Sequence, residues 1–140
     1  VILTDEEKMI LTPTYHVMEM YNVHQNALML PLTVTSNDYV LGDRKLTAVS
    51  ASASKDKNGA INISLVNIDA SKEQKITISL GDINNRKISG RILSSPKIQD
   101  HNSFEKPENI IPKAFNNVKV KGSEMEVTLP PFSVVVLKLS

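Results

Sequence analysis

The chain has 140 residues, 41% of them hydrophobic, which suits one globular domain with a single core and argues against disorder. Sixteen Lys and Arg stand against fifteen Asp and Glu, a net charge of +1, with no basic run and no aromatic interleaving, so no nucleic-acid partner is expected. Cysteine is absent, which excludes disulfides and thiolate metal sites and leaves compartment and localisation open, and no stretch nears the ~20 apolar residues of a membrane span, so no membrane partner is expected.

The sequence opens on Val1 without an initiator Met, and charged residues follow Leu3 at once, so the start is no signal peptide and the chain reads as part of a larger protein. Asp5, Glu6 and Glu7 are adjacent and predict a solvated loop. Residues 12–26 then predict a helix: Thr12 suits the N-cap, and Pro13 suits the first helical position because its missing N–H would go unpaired there. Val17, Met18, Met20 and Tyr21 cluster on one arc, which Tyr15 and Val23 widen, leaving Glu19, Asn22 and Asn26 as the polar stripe. Half or more of this helix wants burial. A small β-domain covers one side, so Tyr15, Val17, Met18, Met20 and Tyr21 are expected to divide between a surface facing the β-domain and one facing a second body, and self-association through the helix is expected.

Period-two alternation follows, with turn signals between the runs. Leu28, Leu30, Leu32 and Val34 are expected on one face of a first strand, with a loop over residues 37–43 after it. Val49, Ala51 and Ala53 alternate with Ser50, Ser52 and Ser54, and Asn58-Gly59 marks a tight hairpin. Ile61, Ile63 and Leu65 come next, with Asn62 and Ser64 expected outward; Ile76, Ile78 and Leu80 repeat the scheme as the expected antiparallel neighbour. A turn over residues 81–86, a strand over 87–93, a short strand at Val118 and Val120, a turn at Gly122, a strand carrying Met125, Val127 and Leu129, and a closing strand over 132–139 complete the series. About eight short strands without a βαβ rhythm predict an all-β antiparallel sandwich or jelly roll.

Residues 94–117 form one long irregular segment with Pro96, Pro107 and Pro112. It is expected to be ordered, with Ile98, Phe104, Ile110, Ile111 and Phe115 as apolar anchors, Phe104 foremost, and with His101 and Asn102 bonding backbone groups that an irregular path leaves unpaired.

Few residues suggest chemistry. His16 and His24 lie eight positions apart, roughly 80° around a helix, and no HExxH accompanies them, so both are expected to pack or hydrogen-bond at the interface with the second body, and no metal is expected. His101 follows Asp100 with serines nearby, but adjacent loop residues rarely form a hydrolase relay. Glu124 and Glu126 alternate with Met125 and Val127 and are expected to face solvent. No glycine-rich phosphate motif occurs, so no cofactor is expected.

The segment from Ile92 to Pro112, with His101-Asn102-Ser103-Phe104 ahead of its spaced prolines, resembles the C-terminal-domain loop of glycoside hydrolase family 51 α-L-arabinofuranosidases. The run from Ile2 through Val17 to Gln25 is similar to the stretch where that family's catalytic barrel ends and its last helix begins. Leu129 to Val134 is similar to the final strand of many glycosidase C-terminal β-domains. The resemblance spans nearly the whole chain.

It implies a parent that is a retaining exo-hydrolase releasing terminal α-L-arabinofuranosyl groups from arabinan or arabinoxylan-type glycans. Such chemistry uses two carboxylates about 5–5.5 Å apart, which in the family are glutamates upstream of Val1. The resemblance divides the chain into residues 1–27, the barrel's end, and residues 28–140, the C-terminal β-sandwich, with the rest of a (β/α)8 barrel as partner. No catalytic residue is then present. Thr4 and Asp5, after a barrel strand, would edge the substrate cleft, and His101 and Asn102 would anchor the loop. The alternative function is a carbohydrate-binding module. With no Trp, its best sugar platform would be Tyr39. A structural domain that braces the barrel and supports assembly is the favoured reading.

Overall fold

The structure, a computed structural model, describes residues 1–81, 83 and 85–140. In chain order it contains β1 (Ile2–Asp5), β2 (Lys8–Leu11), α1 (Pro13–Tyr21), a 3-10 turn (Asn22–His24), β3 (Leu28–Leu30), β4 (Asp38–Leu41), β5 (Arg44–Thr47) and β6 (Val49–Lys55). There follow β7 (Ile61–Asn67), β8 (Gln74–Ser79), β9 (Ile88–Leu93), β10 (Lys113–Ala114), β11 (Val118–Lys121), β12 (Glu124–Leu129) and β13 (Ser133–Leu139). The pairings are antiparallel.

A six-stranded sheet, β10-β9-β13-β7-β6-β3, faces a three-stranded sheet, β11-β12-β8. Alternation assigns the core: Ile63 and Leu65 of β7 and Val135, Leu137 and Leu139 of β13 meet Met125, Val127 and Leu129 of β12. The chain is thus the predicted antiparallel sandwich. Gly90 on β9 is required by close approach, because a Cβ there would meet Leu137 Cδ2 and the Phe115 carbonyl oxygen, each at 2.9 Å.

The six-stranded sheet is covered on its other face too. Val134 and Val136 of β13 point away from the sandwich core to a second cluster with Met20 of α1, Leu93 and Ile110. This explains why β13 is apolar at consecutive positions rather than alternate ones: both of its faces are buried. The helix starts as predicted, with Thr12 Oγ1 accepting from Tyr15 N at 3.5 Å and Pro13 next.

Several local expectations need correction. The helix stops at Tyr21 rather than Asn26, because the chain tightens into the 3-10 turn and reverses at Asn26, whose φ is 56°. Asp5, Glu6 and Glu7 are solvated as expected, but the segment is the turn of a β1–β2 hairpin that the sequence did not suggest, with Glu6 in the left-handed region at φ 52°. The first sandwich strand covers Leu28–Leu30 alone, since Pro31 offers no N–H to the ladder; Leu28 is 70% exposed while Val34 packs on the core. The expected loop over residues 37–43 is largely the β4–β5 hairpin, turned at Gly42 with φ 62°. Phe132 precedes β13 at φ 48° and is half-buried. The turn expected over residues 81–86 includes Asp82 and Asn84, which lie outside the described residues.

Two corrections concern the sheets. Asn62 and Ser64 do not face solvent: they are 2% and 0% exposed, beneath the helical layer. And β7 does not pair with β8; β7 lies between β6 and β13, while β8 pairs with β12 in the opposite sheet. Asn67 and Asp69 build that crossing. Asn67 Nδ2 donates to the carbonyls of Lys72 and Pro130 at 3.0 and 2.9 Å, and Asp69 Oδ1 accepts from the N–H groups of Ser71 and Lys72, both at 2.9 Å. Those amides hold the Asp69 carboxyl below its ordinary pKa, the Ser71 N–H contributing most.

Candidate functional surface

The layer formed by β1, β2, α1 and the 3-10 turn carries most of the residues singled out from sequence. Its amino end is closed by Thr12, whose N–H and Oγ1 both donate to the Val1 carbonyl at 3.0 and 2.8 Å. Met20 points into the sheet at 1% exposure, whereas Met18, two positions earlier on the helix, is 61% exposed. Tyr15 and Tyr21 are half-buried. Glu19 reaches Arg91 of β9 at 2.8 Å, and this guanidinium lowers the Glu19 pKa while its own rises.

His24 ends the layer. Its Nδ1 lies 2.6 Å from Ser54 Oγ on β6 and its Nε2 lies 2.6 Å from Ser64 Oγ on β7, so one ring spans two strands. Burial lowers the His24 pKa, and burial raises that of Tyr21, whose ring meets His24 edge-on at 5.8 Å. Sequence reasoning placed His24 in a packing or hydrogen-bonding role at an interface with a second body, whereas its ring is seated on serines of this chain's own sheet. The signal lay in the alternating serines of β6 and the lone Ser64 of β7, whose polarity suggests solvent rather than a partner.

The long loop fastens this layer from the other side. Asn102, 3% exposed, donates through Nδ2 to the carbonyls of Leu11 and Ile110 at 2.8 and 3.0 Å and accepts from Ile110 N–H at 2.6 Å. His101 is exposed, its Nδ1 3.0 Å from the Gln99 carbonyl, and Asp100 bonds Ser95 rather than His101, so no relay forms. Among the apolar residues of the loop, Ile110 and Phe115 are buried, Phe104 is half-buried and Ile98 is 69% exposed.

The remaining candidates are scattered. Thr4 and Asp5 lie exposed on β1. Tyr39, half-buried on β4, pairs with Leu46 on β5, in a hairpin where Val40, Leu41 and Leu46 are 60 to 71% exposed. Glu124 is exposed and Glu126 half-buried, on the face of β12 opposite Met125 and Val127. Among the described residues no group of three or more His, Cys, Asp or Glu is placed to hold a metal ion. A cleft of about 860 Å³ opens between the sheets beside β8, lined by Leu30, Val34, Ala53, Ile63, Ile76 and Ile78 among others. Among the described residues, neither a carboxylate nor a histidine lines it.

The fold is thus a two-sheet antiparallel sandwich that carries a helical layer on the outer face of its larger sheet. A family model described as the alpha-L-arabinofuranosidase C-terminal domain matches residues 1–133, and the chain belongs to this family. It is 48% identical over 139 residues to an intracellular exo-alpha-L-arabinofuranosidase of Bacteroides ovatus, a match that takes in 99% of this chain and 27% of that protein. Over 129 residues it is 31% identical to alpha-L-arabinofuranosidase 1 of Arabidopsis thaliana, taking in 87% of this chain and 18% of that protein. The crystal structure of the GH51 arabinofuranosidase from Xanthomonas axonopodis pv. citri superposes with a TM-score of 0.94 at 40% identity, over 99% of this chain and 28% of that one. The chain therefore spans between about a fifth and just over a quarter of the length of these relatives.

Proposed function

We propose that this chain is the non-catalytic C-terminal sandwich of a retaining α-L-arabinofuranosidase, one that removes terminal α-L-arabinofuranosyl residues from arabinan or arabinoxylan-type glycans. Residues 1–27 finish a (β/α)8 barrel and residues 28–140 brace it. The two catalytic carboxylates belong to the barrel, outside this chain. The observation that carries this reading is the two-sided helical layer. Its inner side is spent on the sheet through Met20, while Ile2, Leu3, Met9 and Met18 remain 47 to 63% exposed on β1, β2 and α1. A layer with large apolar side chains on its outer side fits one packed between two bodies. The same surface supports self-association when the barrel is absent.

Two measurements test this. The chain alone is expected to release no nitrophenol from p-nitrophenyl α-L-arabinofuranoside; release abolished by an Asp or Glu substitution within the chain overturns the reading. Met18→Lys is expected to leave the melting temperature of the isolated chain nearly unchanged, reduce its self-association in sedimentation, and lower the melting temperature of the full-length enzyme. An unaffected full-length enzyme overturns the bracing role.

A further inference from the structure

We propose that His24 is a proton-released latch, holding the helical layer on the six-stranded sheet while its ring is neutral and loosening that layer on acidification.

The geometry sets the requirement. A neutral imidazole has one N–H donor and one bare nitrogen, so at 2.6 Å from both hydroxyls it donates to one serine and accepts from the other. Ser54 is 3% exposed and Ser64 is 0% exposed, which leaves water little access to either hydroxyl. A protonated ring donates from both nitrogens, so the serine that had been donating must turn its hydrogen away and find another acceptor. The added charge would sit on an apolar and hydroxyl-lined seat.

Among the described residues, no group facing the ring compensates that charge. On α1, Tyr21 presents an aromatic edge at 5.8 Å and its neutral hydroxyl bonds Ser64, His16 packs edge-on against Tyr15, and Glu19 is held by Arg91 at 2.8 Å. On β6 the residues sharing the face of Ser54 are Ser50 and Ser52, and on β7 they are Asn62, Ser64 and Val66, none of them charged. Lys138 on β13 and Arg91 on β9 share that sheet face by register, and both are cationic. Asn62 Oδ1, on the same face, is buried without a hydrogen-bond partner, so the seat holds a spare acceptor for a displaced hydroxyl hydrogen, and what it lacks is a countercharge for the ring.

The direction follows. Burial depresses the His24 pKa in the folded chain. The stabilisation it contributes is present above the unfolded value of about 6.5 and is lost as pH falls below it, since the unseated ring then binds a proton that the seated ring resists.

The test is amide hydrogen exchange on the intact chain at pH 7.5 and 5.0, corrected for intrinsic exchange. Protection of residues 12–26 is expected to fall severalfold more than that of residues 133–139. In His24→Gln, which keeps a donor and an acceptor but cannot titrate, the two segments are expected to change alike. Equal change of both segments in the unmodified chain, or an unequal change that survives in His24→Gln, overturns the latch. Should His24→Gln not fold, the NMR titration of the His24 Cε1 proton in the unmodified chain decides: a midpoint below 6.5 supports the proposal, and one at or above 6.5 overturns it.

Discussion

Asn102 and Leu11 are ninety-one positions apart in sequence and joined by a 2.8 Å hydrogen bond, Asn102 Nδ2 donating to the Leu11 carbonyl. Leu11 ends the β1–β2 hairpin, so this bond ties the long loop to the helical layer. It makes a segment with almost no regular structure a fastening for one that has it.

Asn102→Ala leaves the buried N–H and carbonyl of Ile110, and the carbonyl of Leu11, without their partner. One stranded buried group costs about 1–3 kcal/mol, so the urea midpoint is expected to drop by at least that equivalent. An unchanged midpoint would mean that the loop is held by its apolar residues alone.

Phe115→Ala is expected to be the more damaging aromatic truncation in the loop. Phe115 is 5% exposed in the main core, where such a deletion costs about 3–5 kcal/mol, whereas half-buried Phe104 has less contact to lose. Thermal melts of the two variants side by side decide the order.

Gly90→Ala inserts a methyl group 2.9 Å from Leu137 Cδ2 and from the backbone oxygen of Phe115. Overpacking of this kind costs roughly 1–3 kcal/mol. Because a carbonyl cannot swing aside as a side chain can, the β9–β10 edge is expected to loosen, seen as faster amide exchange at Phe115, whose N–H donates to the Gly90 carbonyl at 2.9 Å.

Acid weakens the crossing between the sheets. The folded Asp69 pKa is depressed, so its contribution is present above the unfolded carboxylate value and is lost as pH falls through the folded one. Asp69→Asn is expected to flatten that part of the stability–pH profile below pH ~4, measured by denaturant midpoints in a pH series.

Glu19→Gln is expected to change stability by less than about 1 kcal/mol, because the Glu19–Arg91 pair is roughly half exposed and screened by water. A larger loss, measured by the same urea titration, would show that the pair positions α1 rather than merely decorating it.

Alternation makes the principal strands legible in the sequence, because Met125, Val127 and Leu129, or Ile61, Ile63 and Leu65, state their inward face directly. Which strand lies beside which is not legible there. The β7–β8 crossing depends on Asn67 and Asp69 capturing backbone groups from distant segments, and no period in the sequence encodes that. Polarity is also a poor guide to exposure: Asn62 and Ser64 read as solvent-facing, yet the layer that buries them carries His24 to the hydroxyls of Ser64 and Ser54. The β1–β2 hairpin is masked by three adjacent acids at its turn. Among the candidate residues, Asn102 is the loop's buried hydrogen-bonding centre, while Phe104 proves only half-buried and Thr4, Asp5 and Met18 lie open.

The position of β13 has a consequence for how the molecule comes into being. This strand, late in chain order, sits between β7 and β9 and carries side chains into both clusters. Until residues 133–139 have left the ribosome, β7 and β9 have no common neighbour, and the hairpins made earlier can only wait with apolar faces open. Folding that depends on such distant pairing is slow, and the waiting state is prone to aggregate. Synthesis arrested just short of Ser133 should therefore yield a chain held by chaperones rather than a slightly shortened sandwich.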